Sequence, residues 1–146
     1  MANVVAVKFF EAMFKNSRLL RDKKNYSSDI MQLSILQIQT LHLLERESSM
    51  QMGEIAEHLH IELPSATSLL NKLVGLQLVK RQQDTKDRRL VRITLTKAGS
   101  DFLKKAMDEK IAQIENMLSY LSQTEQHELL RLLEKLNDRI EKNHEH

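Results

Sequence analysis

Residues 84–96 read DTKDRRLVRITLT. Two patterns are superimposed there. Leu90, Val91, Ile93 and Leu95 are spaced among polar residues as in a strand with one buried face. Lys86, Arg88, Arg89, Arg92 and, one residue further, Lys97 surround only Asp84 and Asp87, the composition of a surface that meets a polyanion. A second strand-like run, Leu78–Gln83, lies on the near side. The two runs, Leu78–Gln83 and Leu90–Thr96, therefore predict a β-hairpin whose tip, Asp84–Arg89, is cationic.

The segment upstream, IELPSATSLLNKLVGLQLVKR, predicts a helix over about Pro64–Gly75. Pro64 suits a first helical turn, where a missing amide proton costs little. Ala66, Leu69, Leu70 and Leu73 make one apolar face, while Ser65, Ser68, Asn71 and Lys72 point elsewhere. That outer face is small and polar, so it can lie close against another surface, as a helix does in a DNA major groove. A short helix, GEIAEHLH, precedes it with Ile55, Ala56 and Leu59 on its buried side. Before that, Ser34 and Gln37 form a capping box that opens SILQIQTLHLLERE, with Ile35, Ile38, Leu41 and Leu44 expected as its apolar positions.

Helix dominates the remainder. Asn3 to about Arg21 carries apolar residues on nearly every side, the pattern of a helix covered by other protein, and the polar run Lys23–Asp29 ends it. Phe102, Leu103, Met107, Ile111, Ile114, Met117, Leu118 and Leu121 mark a long amphipathic helix. A second capping box, Ser122 with Glu125, opens a last one through Leu129, Leu130, Leu132, Leu133, Leu136 and Ile140. With only three Gly and one Pro in 146 residues, the fold class is mainly α with a small β-hairpin, in a single domain.

Charge divides along the chain although the formal net value is only +2. Residues 72–97 hold eight Lys or Arg against two Asp, a local charge of +6, whereas residues 108–146 hold nine acids and five bases, a charge of −4. No apolar run approaches the roughly 18 residues of a membrane span. The absence of Cys removes disulfides and thiolate chemistry and fits a cytoplasmic protein. There is no Gly-rich phosphate loop, Gly-x-Ser-x-Gly, HExxH or distinct carboxylate pair, so no enzyme and no cofactor is expected. His58 with His60, and His144 with His146, are each one residue apart and do not share a helix face, so no metal site is expected.

Two short helices, the second with a small polar face, followed by a basic hairpin, are the order of a winged helix-turn-helix. Arg88 at the wing tip is placed to enter a minor groove, where narrow A·T-rich segments concentrate negative potential. Arg89 pairs with Asp87 and stiffens the loop. The expected DNA-facing residues are Pro64, Ser65, Thr67, Ser68, Lys72, Lys86, Arg88 and Arg89. Two other readings stand beside this one: a winged-helix module that binds protein, and a metal-responsive regulator.

The motifs LSILQIQTLHLL, GEIAEHLHIELPSATSLLNKL, LVKR and, above all, DTKDRRLVRITLTKAG resemble the MarR family of bacterial transcriptional regulators, in particular its SlyA-like members. The wing, Asp-x-x-Asp-Arg-Arg followed by a strand ending Leu-Thr-x-x-Gly, is the specific part. The resemblance implies a homodimer in which residues 1–25 and 101–146 form the dimerisation region and residues 33–100 the DNA-binding lobe. It also implies a roughly palindromic duplex operator, repression, and release by a small lipophilic or aromatic effector. The lining expected for that effector is Phe9, Phe10, Met13, Ile38 and His42, which also suit a plain core. Two positions depart from the family pattern. Gln77 stands where Gly is usual, with Gly75 two residues earlier, and Ser68 stands where Arg is frequent, which implies weaker direct base readout and more weight on Ser65, Lys72 and the wing.

Overall fold

The computed structural model describes residues 3–19 and 33–144. The polar run Lys23–Asp29, with Leu20, Arg21 and His146, lies outside the described residues. Packing divides the chain into two units, Met1–Glu109 and Lys110–His146.

The first unit begins with α1 (Val4–Leu19), opened by Asn3, whose side-chain oxygen accepts the Val5 N–H at 2.9 Å. Every α1 side chain described is exposed, including Phe9, Phe10, Met13 and Phe14. The expectation that Phe9, Phe10 and Met13 are core is therefore corrected: none of the described residues of the single chain buries them.

Next comes α2 (Ile35–Glu47), with the expected capping box: Ser34 Oγ accepts the Gln37 N–H and Gln37 Oε1 accepts the Ser34 N–H. Its buried stripe is Gln37, Thr40, Leu41 and Leu44, with Leu43 buried beside it, so Leu41 and Leu44 of the expected series are buried and Ile35 and Ile38 are not. Steps of three residues turn 300° each, so Ile35 and Leu44 lie on opposite faces; Ile35 is 76% exposed and Leu44 1%. His42, read as an interior group, projects away from the stripe and is exposed.

A three-residue γ-turn at Ser48 (φ 67°), closed by Ser49 N–H to the Glu47 carbonyl at 2.8 Å, ends the passage out of α2. It delivers Met50 to an antiparallel bridge with Ile93. Then follow α3 (Met52–His58) and α4 (Leu63–Gly75), the helix-turn-helix pair. Both end in the same six-residue cap. After α3, His60 takes φ 52° and the Ile61 N–H reaches the Ala56 carbonyl; after α4, Gln77 takes φ 61° and the Leu78 N–H reaches the Leu73 carbonyl. The left-handed position that usually demands glycine is thus held here by Gln77.

The wing is β1 (Val79–Gln83) paired antiparallel with β2 (Val91–Leu95), in the register Val79↔Leu95, Arg81↔Ile93, Gln83↔Val91. It is one residue shorter than expected at the near end because the Leu78 N–H closes the α4 cap, and at the far end because the Leu90 N–H bonds the Asp87 carbonyl. Leu41, Leu44, Ile55, Leu70, Leu73, Ile93 and Leu103 are almost wholly buried, so α2, α3, α4, β2 and the following helix share one core.

That helix, α5 (Lys97–Leu118), starts at Thr96, whose Oγ1 accepts the Gly99 N–H at 2.9 Å and donates to the Gln77 carbonyl at 2.6 Å. A Cβ on Gly99 would overlap the Leu78 carbonyl oxygen. The unit boundary falls within α5. In the second unit, α6 (Gln123–His144) opens with the expected Ser122–Glu125 capping box, and Gln126 Nε2 donates to the Leu118 and Leu121 carbonyls. None of its residues is buried; Leu129, Leu130, Leu132, Leu133, Leu136 and Ile140 are exposed.

Two substitutions test this account of the junction. Gly99→Ala forces a backbone carbonyl to move and should lower unfolding free energy by roughly 1–3 kcal/mol. Gln77→Gly relieves a left-handed side-chain conformation and should raise it by about 0.5–1 kcal/mol after the extra chain entropy of glycine is subtracted. Urea denaturation of both variants measures the two signs.

Candidate nucleic-acid interface

Five residues of α4 face solvent together: Pro64, Ser65, Ser68, Asn71 and Lys72. The helix can present them because Ala66, Leu69, Leu70 and Leu73 fix its opposite side in the core. Thr67 departs from the expected set. It is half-buried, and its hydroxyl donates to the Leu63 carbonyl at 2.9 Å and contacts Met52 Sδ at 3.1 Å. It lies next to Ala66 around the helix, on the side turned to α3, so it serves the helix-helix contact.

An open groove of about 380 Å³ runs beside this face, lined by Ser34, Leu36, Gln37, Ile61, Ser65, Ser68, Leu69 and Lys72. None of Phe9, Phe10, Met13, Ile38 or His42 lines it. Ile38 is half-buried against the core, and the other four are exposed.

The wing loop is built by two aspartates in tandem. Asp84 Oδ1 accepts the N–H groups of Lys86 (2.7 Å) and Asp87 (3.2 Å), while Asp84 Oδ2 accepts Arg92 Nε at 2.9 Å. Asp87 Oδ1 repeats the turn, accepting the Arg89 N–H at 3.0 Å and Arg89 Nε at 3.2 Å. Each is a carboxylate bonding the backbone two residues on, the turn chemistry for which Asp is favoured. The expected Asp87–Arg89 pair is present, but with the Arg89 side chain 90% exposed it adds little stability by itself.

Asp84 carries more of the loop. The Arg92 bond first, then the Lys86 and Asp87 N–H groups, pull its carboxyl down to about 2 from an ordinary 3.8. Arg92 Nη1 also lies 3.8 Å from Glu54 Oε2, the oxygen that caps the Gln51 N–H at the start of α3. The wing base is thereby tied to the helix-turn-helix. Neither Asp84 nor Arg92 figured among the expected wing-stabilising residues; the signal was the repeat of Asp at a spacing of three, each followed by a short turn.

Between these braces, Lys86 and Arg88 are exposed, and neither side chain has a hydrogen-bond partner among the described residues. On the adjoining strand, Arg81 Nη2 donates to Asn71 Oδ1 at 2.6 Å, joining β1 to α4. That link was not foreseen either, since the two residues are ten apart and belong to different elements.

Residues 33–91, from the approach to α2 through the helix-turn-helix to the first residue of β2, match the model of the MarR family. Over that lobe the chain is similar to the MarR family. The HTH-type transcriptional repressor MdtR of Bacillus subtilis (strain 168) is 28% identical over 89 residues, 61% of this chain and 57% of that one. The HTH-type transcriptional regulator YhbI of the same organism is 28% identical over 101 residues, 66% of each chain. The matches thus span less than two-thirds of these two relatives, both of which carry the names of regulators rather than enzymes. Streptococcus pneumoniae FabT, solved in complex with DNA, superposes with a TM-score of 0.75 over 94% of this chain and 96% of its own, at 20% identity, a likeness of fold.

His58 ends α3, whereas His60 lies beyond it in the turn to α4. His58 Nδ1 lies 3.2 Å from the Glu54 carbonyl on α3, and His60 occupies the left-handed turn residue. Among the described residues no three His, Cys, Asp or Glu side chains converge on a point, and no helix is long and apolar enough to cross a membrane.

The sign of the Asp84 effect follows from its lowered value. Its stabilisation of the wing is fully present above pH 3.8, where the unfolded carboxyl is also ionised, and is lost as pH falls through about 2. The Asp84 carboxyl carbon should therefore titrate by NMR with a midpoint near 2. Asp84→Asn should remove the Arg92 bond and speed tryptic cleavage after Lys86 and Arg88 several-fold at neutral pH.

Proposed function

We propose that the chain is a homodimeric, sequence-specific DNA-binding transcriptional regulator acting as a repressor in the cytoplasm. One observation carries the reading: a rigid loop presents unpaired cations, Lys86 and Arg88, in the same lobe as a helix face of Ser65, Ser68, Asn71 and Lys72. The helix face enters a major groove and the wing tip reaches the flanking minor groove with Arg88. Pro64 and Ser65 stand at the helix start, where backbone N–H groups also favour a phosphate. Arg89 acts through Asp87 on the shape of the loop. Residues 33–100 form the DNA-binding lobe of one MarR-type domain.

Dimerisation rests on the apolar surface of the flanking segments, 1–25 and 101–146. Phe9, Phe10, Met13 and Phe14 of α1, and six leucines and isoleucines of α6, are exposed in the single chain. Apolar faces of that extent are covered in a stable soluble protein, here by a second copy. A two-fold dimer reads a roughly palindromic operator with half-sites about 10 bp apart. The repressor name of MdtR supports the sign of the regulation. A small lipophilic or aromatic effector releases the DNA by favouring a dimer whose half-site separation no longer fits. Phe9, Phe10, Met13, Ile38 and His42 are its proposed lining in the assembled dimer.

Anisotropy titrations of duplex DNA at several salt concentrations test the reading. Affinity should fall steeply with salt, and Lys72→Ala should lower the slope by about 0.9 if it neutralises one phosphate. Arg88→Ala should weaken binding about tenfold while sedimentation still shows a dimer. A monomer in solution, or duplex binding indifferent to salt, would reject it in favour of a module that binds protein.

A further inference from the structure

The bond from Arg81 to Asn71 fixes more than the angle between strand and helix. Asn71 lies one turn beyond Ser68 on the exposed face of α4, and Arg81 Nη2 meets its Oδ1 at 2.6 Å. A guanidinium has donors and no acceptor, so the asparagine must turn its oxygen toward the strand and its Nδ2 away from it; the opposite amide orientation would set donor against donor. Both side chains are exposed, and an exposed bond of this kind contributes little to folding.

A free asparagine on a recognition helix offers an oxygen and a nitrogen side by side, the pair that adenine N6 and N7 satisfy together. With its oxygen drawn to Arg81, Asn71 leads with its amide donors, beside the remaining N–H groups of the guanidinium. Guanine is the base whose major-groove edge offers two adjacent acceptors, N7 and O6. We propose that Asn71 is a specificity-determining residue that selects guanine at one base pair of each half-site, and that Arg81 is the positioning residue that sets this preference. The proposal rests on the DNA-binding reading of the lobe. It also returns to α4 part of the direct readout that serine at position 68 had seemed to remove.

Selection from duplexes with a randomised segment, followed by sequencing, tests it with the full-length wild type, Asn71→Ala and Arg81→Ala, each checked by thermal melting. The wild type should enrich guanine at one position per half-site. Asn71→Ala should reduce that preference about tenfold. Arg81→Ala should shift the same position from guanine toward adenine, as the released amide pairs through both its atoms; a purely structural role for Arg81 would weaken binding without changing the base chosen. Identical motifs from all three proteins, or changes at different base pairs, would overturn the inference. A wild type that binds duplex yet selects no guanine overturns it alone, whereas a wild type that binds no duplex overturns the reading of the lobe as well.

Discussion

The main chain of Leu78 holds the lobe together. Its N–H closes the cap of α4 on the Leu73 carbonyl, and its carbonyl accepts the Thr96 N–H where β2 gives way to α5. The same carbonyl fills the space that a side chain on residue 99 would need. The α4 helix, the wing and α5 therefore meet at the main chain of one residue. Thr96 adds a second tie, donating to Gln77 while capping α5. Because these are main-chain bonds in a junction flanked by buried Leu73, Val79 and Leu103, the wing and α4 keep a fixed relation that side-chain contacts at the surface could not impose.

On that base, electrostatics act locally. Asp84 and Asp87 neutralise part of the loop, but they do so by accepting backbone N–H groups as well as cations, so the loop is shaped without consuming its outward charge. Arg92 and Arg89 are tied down. Lys86 and Arg88 are not, and with Lys80 and Lys72 nearby in sequence the lobe keeps a positive field at modest total charge. The acidic second unit contributes the opposite sign, which leaves the net charge of the chain uninformative about its partner.

Much of this arrangement was legible in the residues. Both capping boxes and the Asp87–Arg89 pair followed from local spacing, because each is made by residues within four positions of one another, and the helix-turn-helix and the hairpin followed because each joins runs adjacent in the chain. What escaped depended on distance or on angular drift. The Met50–Ile93 bridge joins residues 43 apart and has no strand pattern on its near side. The Asn71–Arg81 and Arg92–Glu54 links cross elements. The apolar stripe of α2 was misjudged because isoleucine at every third position resembles a face over one turn and rotates to the far side over three. Thr67 was counted as outward-facing from its polarity, although a hydroxyl bonded to its own helix packs readily against a neighbour.

The tandem turns of the wing separate what shapes the loop from what the loop displays. Two aspartates and main-chain amides set the path, so the identities of residues 85, 86 and 88 are almost irrelevant to folding. Mutation can sample them at little risk to the scaffold. A change at the apex therefore alters what the loop displays and not its path, while the acidic pair beneath stays under constraint from geometry alone.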